Sequence, residues 1–352
     1  MHILNIAQYS SASYLAMDSG LDPGYILDMN YAFARTAMLV AAVRLRLFTH
    51  LAERSMSAVT LSAIAETEPD VTQRLLSGLR TLGLVEQEGD TYRLAPIASH
   101  FLVEGKPSYL GGDTLATMEY LPAWFTLPHT VRTGKPYRDL GQPSVAEAFF
   151  AAHVRDLFTV VYPIAKQLVG ALHLRERESC LQVLDVGAGS GAWSAAFAQQ
   201  YPNAVVTAID LPTVAAQGRQ QTAELGLSNR FTWVEADITT LPLDYASYDL
   251  VIVAHLCRFL GEQRSRELLE RLAVCCVPDA TIVIAEVLLL DDRSGPPLAL
   301  TLDLSLAVNT SQGRLFTFQE LRTWLHESGF QEAIRLDVAG PSSVIVTQKG
   351  SS

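Results

Sequence analysis

The chain has 352 residues, of which 49% are hydrophobic and 18% are charged, a composition typical of a folded protein with large buried cores. At about 150 residues per domain, this length predicts two domains. The formal net charge of −11 opposes binding to a polyanion such as nucleic acid. No apolar run reaches the roughly 20 residues of a membrane span, and the segment Met1–Asp22 lacks the basic and apolar regions of an export signal. We therefore expect a cytoplasmic protein without a nucleic-acid or membrane partner.

The first part of the sequence predicts helices followed by a hairpin. The segment Asn30–Leu51 is apolar with few charges, which predicts a helix whose surface needs a partner. Two short helices are expected at Leu61–Glu66 and Val71–Leu82, and apolar and polar residues then alternate on both sides of a Glu-Gly-Asp turn within Gly83–Leu94. This is the order of a winged helix. Because its recognition helix carries only two arginines, we expect dimerisation rather than DNA binding.

The remaining sequence predicts a helical segment and then a sheet. Tyr109–Leu174 has a helical pattern with breaks at prolines and glycines, at Pro122, Pro128, Gly134–Pro136 and Gly141–Pro143. From Leu181 onward, short apolar strands alternate with amphipathic helices, which predicts a parallel sheet covered on both faces. The expected strands are Gln182–Val186, Val205–Ile209, Phe231–Glu235, Leu250–Ala254 and Thr281–Ala285. Two final strands, Ala333–Val338 and Ser343–Thr347, are too close for a helical crossover and must pair antiparallel.

A glycine-rich turn is expected after the first of these strands. Gly187, Gly189 and Gly191 follow Asp185 in the segment Leu-Asp-Val-Gly-Ala-Gly-Ser-Gly, and glycines at such a turn let a ligand approach the backbone closely. About 20 residues further on, Asp210 ends the next strand, where a carboxylate can accept hydrogen bonds from both ribose hydroxyls. A carboxylate at Asp185 repels a pyrophosphate but suits an ammonium and a sulfonium, which favours S-adenosylmethionine over a dinucleotide.

Further cofactor-binding candidates follow the second and third strands of the predicted sheet. Leu211 comes directly after Asp210, and Asp237 with Ile238 follows the third strand, where the carboxylate is placed to reach an adenine edge. Any one aspartate alone could equally be a helix cap or a turn residue. The ordered set of three aspartates at three strand ends is what indicates a nucleoside site.

The sequence resembles a known family through motifs spread over nearly the whole chain. These motifs are Val183–Gly191, Ile209–Pro212, Glu235–Asp237, Thr310–Thr317 and the terminal hairpin, together with Ala41–Phe48, Leu79–Val85, Tyr92–Pro96 and Arg132–Pro136 upstream. They are similar to the small-molecule S-adenosylmethionine-dependent methyltransferases of the acetylserotonin and caffeate O-methyltransferase type. The resemblance implies S-adenosylmethionine as cofactor, a small-molecule acceptor of secondary metabolism, and a homodimer formed through the amino-terminal helices.

The resemblance also implies a domain organisation. Residues 1–108 are expected to form a mostly α winged-helix dimerisation domain, and residues 109–175 a helical connector that lines the acceptor pocket. Residues 176–352 are expected to form an α/β Rossmann-like methyltransferase domain that ends in an antiparallel hairpin.

The sequence departs from the family at the catalytic base. Family members carry a histidine after the fourth strand of the sheet, and the alignment places Arg258 at that position. Arginine stays protonated and cannot deprotonate a phenol, although it can hold an anion. Glu286 matches a glutamate that orients the histidine in the family. His255, three residues before the arginine, is a candidate substitute base; the alternative is a buried histidine satisfied by the backbone.

Other candidates concern a metal and the acceptor. His255, Glu286 and Asn309 resemble the metal site of 2-oxo acid C-methyltransferases with this fold, but asparagine is a poor ligand for a transition metal, so we expect none. The side chains of His129, Phe149, His153 and Asn309 are candidates to line the acceptor pocket. Aromatic clusters at such spacing also form ordinary cores.

Two functions stay open at this point. The first is methyl transfer to oxygen or to an activated carbon of a small acceptor, with Arg258 stabilising the enolate or phenolate. The second is an enzyme of the same fold that keeps the cofactor as a cation and catalyses a pericyclic or elimination step. The absence of the base histidine favours this alternative. The production of S-adenosylhomocysteine distinguishes the two. A winged-helix regulator is disfavoured by the charge and by the complete cofactor motif.

Overall fold

The computed structural model of the protein describes residues 22–172, 180–243, 245–338 and 342–350. These residues divide into two compact units, with the boundary between Leu115 and Ala116. Residues 1–21, for which the sequence predicts no export signal, and residues 173–175, the end of the predicted connector, lie outside the described residues.

The first unit contains the expected helices and hairpin. Its elements are α1 (Gly24–Arg44), α2 (Leu47–Glu53), β1 (Met56–Ser57), α3 (Ala58–Ile64), α4 (Pro69–Thr81), β2 (Val85–Glu88), β3 (Thr91–Leu94) and α5 (Pro96–Phe101). Strand β3 pairs antiparallel with both β1 and β2, so the predicted winged-helix order is confirmed. The core beneath the sheet contains the fully buried side chains of Phe48, Leu61, Leu76 and Tyr92.

The long apolar helix predicted for Asn30–Leu51 is interrupted in the structure. Arg46 adopts a left-handed φ of 54°, which a right-handed helix of L-residues does not accommodate. The segment therefore forms two helices, α1 and α2, on either side of this residue. Most of α1 is exposed within one chain: Tyr31 and Phe33 are 69% and 64% accessible. The expectation that this helix needs a partner surface agrees with that exposure.

Two helices are long and apolar enough to cross a membrane, which corrects the expectation that no segment of the chain reaches that length. They are Gly24–Arg44 and Pro143–Gly170, and in each only 17% of the most apolar window is buried within the chain. Scattered charges interrupt both segments without making them polar on average. Length and composition alone assign no membrane partner, because helices of soluble proteins pass the same test.

The helices of the second unit surround its sheet. Helix α6 (Gly111–Phe125) spans the boundary between the units, and the others are α7 (Leu127–Thr133), α8 (Pro143–Ala171), α9 (Ala192–Gln200), α10 (Pro212–Glu224), α11 (Cys257–Cys275), α12 (Pro297–Asn309) and α13 (Phe318–Glu327), with a 3-10 turn at Ser228–Arg230. The prediction of a helix break at Pro122 is wrong, since the residue lies inside α6. A proline removes one helical hydrogen bond, and the helix continues because the next turn is packed, with Ala123 fully buried.

The central sheet has seven strands. They are β4 (Leu181–Val186), β5 (Ala204–Asp210), β6 (Phe231–Glu235), β7 (Tyr248–Ala254), β8 (Cys276–Glu286), β9 (Ile334–Asp337) and β10 (Ser343–Gln348), in the order β6-β5-β4-β7-β8-β10-β9. Strands β4 to β8 pair parallel, and β10 pairs antiparallel with β8 and β9. The predicted parallel sheet and terminal hairpin are confirmed, although the hairpin turn at 339–341 lies outside the described residues. The carboxyl ends of β4 to β8 share one edge, where ligands bind in open α/β sheets.

Close packing of α10 against the glycine turn generates a stability prediction. A Cβ at Gly218 would lie 2.2 Å from the Trp233 ring and 2.4 Å from the Gly189 carbonyl oxygen. Gly218→Ala should therefore lower the free energy of unfolding by about 1–3 kcal/mol, the usual cost of overpacking. At Gly170 of α8, apart from its chain neighbours and the adjoining helix backbone, no described residue has an atom within 4 Å of an added Cβ, so Gly170→Ala should stabilise by up to about 1 kcal/mol. Urea denaturation measures both, and equal effects would contradict the packing argument.

Candidate functional site

The glycine turn connects β4 to α9 at the carboxyl edge of the sheet. Gly187, Gly189 and Gly191 have φ values of 66°, 56° and 72°, in the left-handed region where a side chain is strained. The backbone N–H groups of Gly187 and Ala188 donate to the carbonyl of Ile209 at 3.0 and 3.1 Å. The three glycines therefore permit a turn that is held against the end of β5.

Asp210 stands beside this turn at the end of β5. The N–H of Gly189 donates to its Oδ2 at 2.7 Å, and the N–H of Leu211 donates to its Oδ1 at 2.7 Å. Burial raises the pKa of Asp210 to about 6, against the lowering effect of these two hydrogen bonds. Both oxygens are thus fixed in direction by the backbone, and Leu211 begins the turn into α10.

Asp185 is beneath the turn rather than on its surface. Its side chain is 1% exposed, and the hydroxyl of Ser194 on α9 donates to its Oδ2 at 2.5 Å. Burial is the main cause that raises the pKa of Asp185 to about 7, and the nearby Asp210 carboxylate adds to the effect. The sequence places this carboxylate in contact with a ligand ammonium, whereas the structure directs it to Ser194.

Asp237 and Ile238 follow β6 at the same edge. Oδ1 of Asp237 accepts from the N–H of Thr239 at 2.9 Å and from its hydroxyl at 2.8 Å, as in an Asx turn. Ile238 is 6% exposed, and its carbonyl accepts from Arg271 at 2.8 Å. The turn leaves Oδ2 of Asp237 without a hydrogen-bond partner among the described residues.

The chemistry of these groups fits S-adenosylmethionine. Asp185, Asp210 and Asp237 lie at successive strand ends, and none of the hydrogen bonds that they make within the described ranges comes from a lysine or arginine side chain. An acidic cradle disfavours phosphate groups, while carboxylates attract a cation and accept hydrogen bonds from hydroxyls and amines.

A second cluster lies where β7 and β8 end. His255 follows β7, and its Nδ1 is 3.8 Å from Oε2 of Glu286. Arg258, in the first turn of α11, has its Nε 3.8 Å from the same Oε2, and its backbone N–H donates to Oε1 at 3.3 Å. Glu286 is 2% exposed. One buried carboxylate therefore stands between an imidazole and a guanidinium, as the pairing of β7 with β8 requires.

The polar atoms of this cluster are incompletely paired. Nδ1 of His255, Nε of Arg258 and Oε2 of Glu286 are buried without a hydrogen-bond partner among the described residues. Each such group costs about 1–3 kcal/mol. The two separations of 3.8 Å exceed a hydrogen bond only slightly, and catalytic hydrogen bonds are often long before a substrate binds.

His255 has two unusual properties. Its backbone φ of 58° is a strained conformation for a residue with a side chain, and strain of this kind is often found at functional sites. Burial chiefly, and the charge of Arg258 next, lower the pKa of His255 against the opposing effect of Glu286. The imidazole is therefore neutral at neutral pH and able to accept a proton.

Aromatic side chains of α8 extend towards the cluster. The Phe149 ring lies 5.1 Å from Tyr120, 5.3 Å from Phe150 and 5.0 Å from His153. The Phe150 ring lies 5.1 Å from Phe259, which follows the cluster arginine in α11. His153 is turned towards its own helix, with Nδ1 2.7 Å from the Phe149 carbonyl.

The remaining predicted pocket residues lie on α12 and α7. Asn309 is 1% exposed, and its Oδ1 accepts from Nε of Arg138 at 2.9 Å. The side chain of His129 is exposed on α7. Sequence reasoning missed Arg138 and Phe259, because neither belongs to a spacing pattern. Within the described ranges, no group of three or more His, Cys, Asp or Glu residues could hold a metal ion.

Comparison with known proteins agrees with this geometry. Residues 130–331 match the O-methyltransferase domain, and residues 27–104 match the O-methyltransferase dimerisation domain. The chain is 29% identical over 337 residues to the tetracenomycin polyketide synthesis 8-O-methyl transferase TcmO of Streptomyces glaucescens, covering 93% of this chain and 97% of that protein. It is 29% identical over 330 residues to the 3-hydroxy-5-methyl-1-naphthoate 3-O-methyltransferase of Streptomyces sahachiroi, covering 91% and 93%.

The fold is shared with solved structures. The crystal structure of human N-acetylserotonin methyltransferase in complex with S-adenosylmethionine has a TM-score of 0.82 at 24% identity, covering 95% of this chain and 100% of that chain. An O-methyltransferase family protein of Burkholderia thailandensis has a TM-score of 0.80 at 21% identity, covering 94% and 99%. Since the O-methyltransferase domain spans more than half of the chain, the protein belongs to the S-adenosylmethionine-dependent O-methyltransferase family.

Proposed function

We propose that the protein transfers a methyl group to a phenolic or enolic oxygen of an aromatic small molecule in secondary metabolism. The observation that carries this proposal is the cluster of Arg258, His255 and Glu286 at the carboxyl edge of the sheet, next to the aromatic rings of α8. The names of the two Streptomyces relatives support the substrate class, since one is named for a polyketide and the other for a naphthoate. We place the reaction in the cytoplasm.

S-adenosylmethionine supplies the methyl group on its sulfonium when it is bound. We assign Asp210 to the ribose hydroxyls, because both of its oxygens lie beside the glycine turn. Asp237 is assigned to the adenine edge through its free Oδ2. Leu211 and Ile238 supply apolar contacts, and the turn Gly187–Gly191 admits the ligand to the backbone. No metal ion has a role in this proposal.

In the cluster of Arg258, His255 and Glu286, two residues share the role that one histidine has in related enzymes. Arg258 keeps its charge and stabilises the negative charge that develops on the acceptor oxygen. His255 is neutral because burial lowers its pKa, and it takes the hydroxyl proton at Nε2 while Nδ1 faces Glu286. The Glu286 carboxylate balances the imidazolium that forms.

Labelled S-adenosylmethionine tests the proposed reaction. Enzyme incubated with cell extract should produce S-adenosylhomocysteine together with an acceptor that carries the label as an aromatic O-methyl group, detected by mass spectrometry. A second candidate, a pericyclic or elimination step with the cofactor kept as a cation, is favoured by the arginine at the position of the base histidine. A converted acceptor without S-adenosylhomocysteine would establish this alternative instead.

Removing the guanidinium should mainly affect turnover. Arg258→Met should lower kcat by about 10² to 10³, the usual cost of losing one electrostatic donor from an oxyanion site. Arg258→Lys should recover only part of the rate, because a point charge does not reproduce the planar fork. Arg266→Met removes an exposed arginine of the same helix and serves as the matched control. Steady-state kinetics in which Arg258→Met keeps the wild-type kcat would refute the assigned role.

Binding of the cofactor product should depend on the charge of Asp210. Because its pKa is raised to about 6, the carboxyl group becomes protonated as the pH falls below about 6 and loses acceptor capacity. S-adenosylhomocysteine should therefore bind more weakly at about pH 5 than at about pH 7.5. Asp210→Asn should weaken binding at the higher pH by about 1.5–3 kcal/mol and reduce the pH dependence, with the remainder due to Asp185, whose pKa is raised to about 7. Calorimetry measures both, with Asp292→Asn on an exposed loop as control.

The exposed face of α1 leads us to propose a homodimer. Ile26, Tyr31 and Phe33 are 54%, 69% and 64% accessible within one chain, and the helix falls within the matched dimerisation domain. Apolar surface of this extent is typical of an interface. Light scattering at micromolar concentration should therefore give a dimer, and Ile26→Glu with Phe33→Glu should give a monomer. Val131→Glu, at a residue that is 73% accessible, should stay dimeric; a monomeric wild-type protein of 38.4 kDa would exclude the proposal.

A further inference from the structure

Arg138 is held in a fixed position between α7 and α8. Its Nε donates to Oδ1 of Asn309 at 2.9 Å, its Nη2 donates to the carbonyl of Glu119, and its Cζ lies 4.9 Å from the centre of the Phe149 ring. The neighbouring N–H of Leu140 donates to the Asn309 carbonyl at 2.8 Å. These contacts orient the guanidinium without using Nη1, which makes no hydrogen bond to a residue of the described ranges.

The charge of Arg138 is unbalanced. In the part of the chain that the structure describes, no carboxylate lies within ion-pair distance of it, although the chain carries a net charge of −11 and other arginines, such as Arg155 and Arg293, pair with glutamates. Arg271 also has no carboxylate partner in the described ranges, and its guanidinium donates to three backbone carbonyls instead. The guanidinium of Arg138 donates to only one backbone carbonyl and one side-chain amide oxygen among the described residues. A half-buried guanidinium with open donors is suited to an anion brought by a ligand.

A row of aromatic rings connects this arginine to the catalytic cluster. The Phe149 ring under Arg138 lies 5.3 Å from Phe150, and Phe150 lies 5.1 Å from Phe259. The Phe259 ring in turn lies 5.4 Å from the Cζ of Arg258. The row therefore has a guanidinium at each end, and the aromatic rings between them offer apolar contacts to an aromatic acceptor.

We propose that Arg138 is a specificity-determining residue that binds a carboxylate of the acceptor. The acceptor is then a hydroxylated aromatic carboxylate, with its carboxylate at Arg138 and its reacting hydroxyl at Arg258. Nη1 and the second N–H of Nη2 form the two parallel donors that a carboxylate accepts. This inference rests on the proposed function, because it uses Arg258 as the site of the reacting oxygen.

Equilibrium binding tests the inference without requiring turnover. The full-length enzyme, loaded with S-adenosylhomocysteine, is titrated by calorimetry with 3-hydroxy-1-naphthoate and with its methyl ester. The wild-type protein should bind the acid at least about tenfold more tightly, since a hydrogen-bonded charge is worth about 1.5–3 kcal/mol. Higher salt should reduce this preference, because the ester carries no charge.

Variants separate the binding role from a structural one. Arg138→Gln keeps an N–H donor on a shorter side chain but loses the charge, so it should weaken binding of the acid by about 10- to 100-fold and change binding of the ester less than about threefold. Arg138→Lys should restore part of the preference. Arg132→Gln removes an exposed arginine of α7 and should leave the preference intact, which controls for net charge.

The outcomes are distinct. Wild-type enzyme that binds the acid no more tightly than the ester, or binds neither, overturns the inference. It is also overturned if Arg138→Gln weakens acid and ester equally, because Arg138 would then only hold α12 in place. Failure of the proposed function is recognised separately: no S-adenosylhomocysteine forms from labelled cofactor, while the acid preference and its dependence on Arg138 persist.

Discussion

The catalytic end of this molecule depends on one buried carboxylate. Glu286 is 2% exposed at the end of β8, and a buried charge without a partner costs several kcal/mol. Arg258 and His255 lie on either side of the Glu286 carboxylate, and the Arg258 backbone N–H donates to it. The end of β7, the start of α11 and the end of β8 are thereby held together around a single group.

The sheet edge is divided by charge into two halves. Each of the first three strands has an aspartate at or just beyond its carboxyl end: Asp185 in β4, Asp210 in β5 and Asp237 after β6. This half suits a cationic cofactor. The half formed by β7 and β8 carries Arg258, which suits an acceptor whose oxygen becomes negative. The two halves therefore carry opposite local charge, which fits the proposed pair of a cationic cofactor and an acceptor whose oxygen becomes negative, although the chain as a whole is acidic.

In the proposed mechanism the imidazole acts from the position of His255 instead of that of Arg258, which changes how the reaction is supported. Where one histidine accepts the proton, other donors must stabilise the oxyanion. In the proposed site the guanidinium of Arg258 does so, because it stays charged throughout. Burial chiefly, and the charge of Arg258 next, lower the pKa of His255, so the base that we propose starts in its neutral form. Its left-handed φ of 58° costs conformational energy, which the hydrogen bond from its N–H to the Ala285 carbonyl helps to offset.

Local patterns in the sequence determined the sheet and the cofactor half of the site. Strand β6 has the predicted bounds, Phe231–Glu235, and the glycines and Asp210 lie where the spacing placed them, because strand alternation and turn chemistry depend on neighbouring residues. Only the tertiary structure decided the rest. Arg138 contacts Asn309 across 171 residues of sequence. Glu286 of β8 lies between His255, which follows β7, and Arg258 of α11. Such contacts arise from packing between distant segments, which no local period encodes.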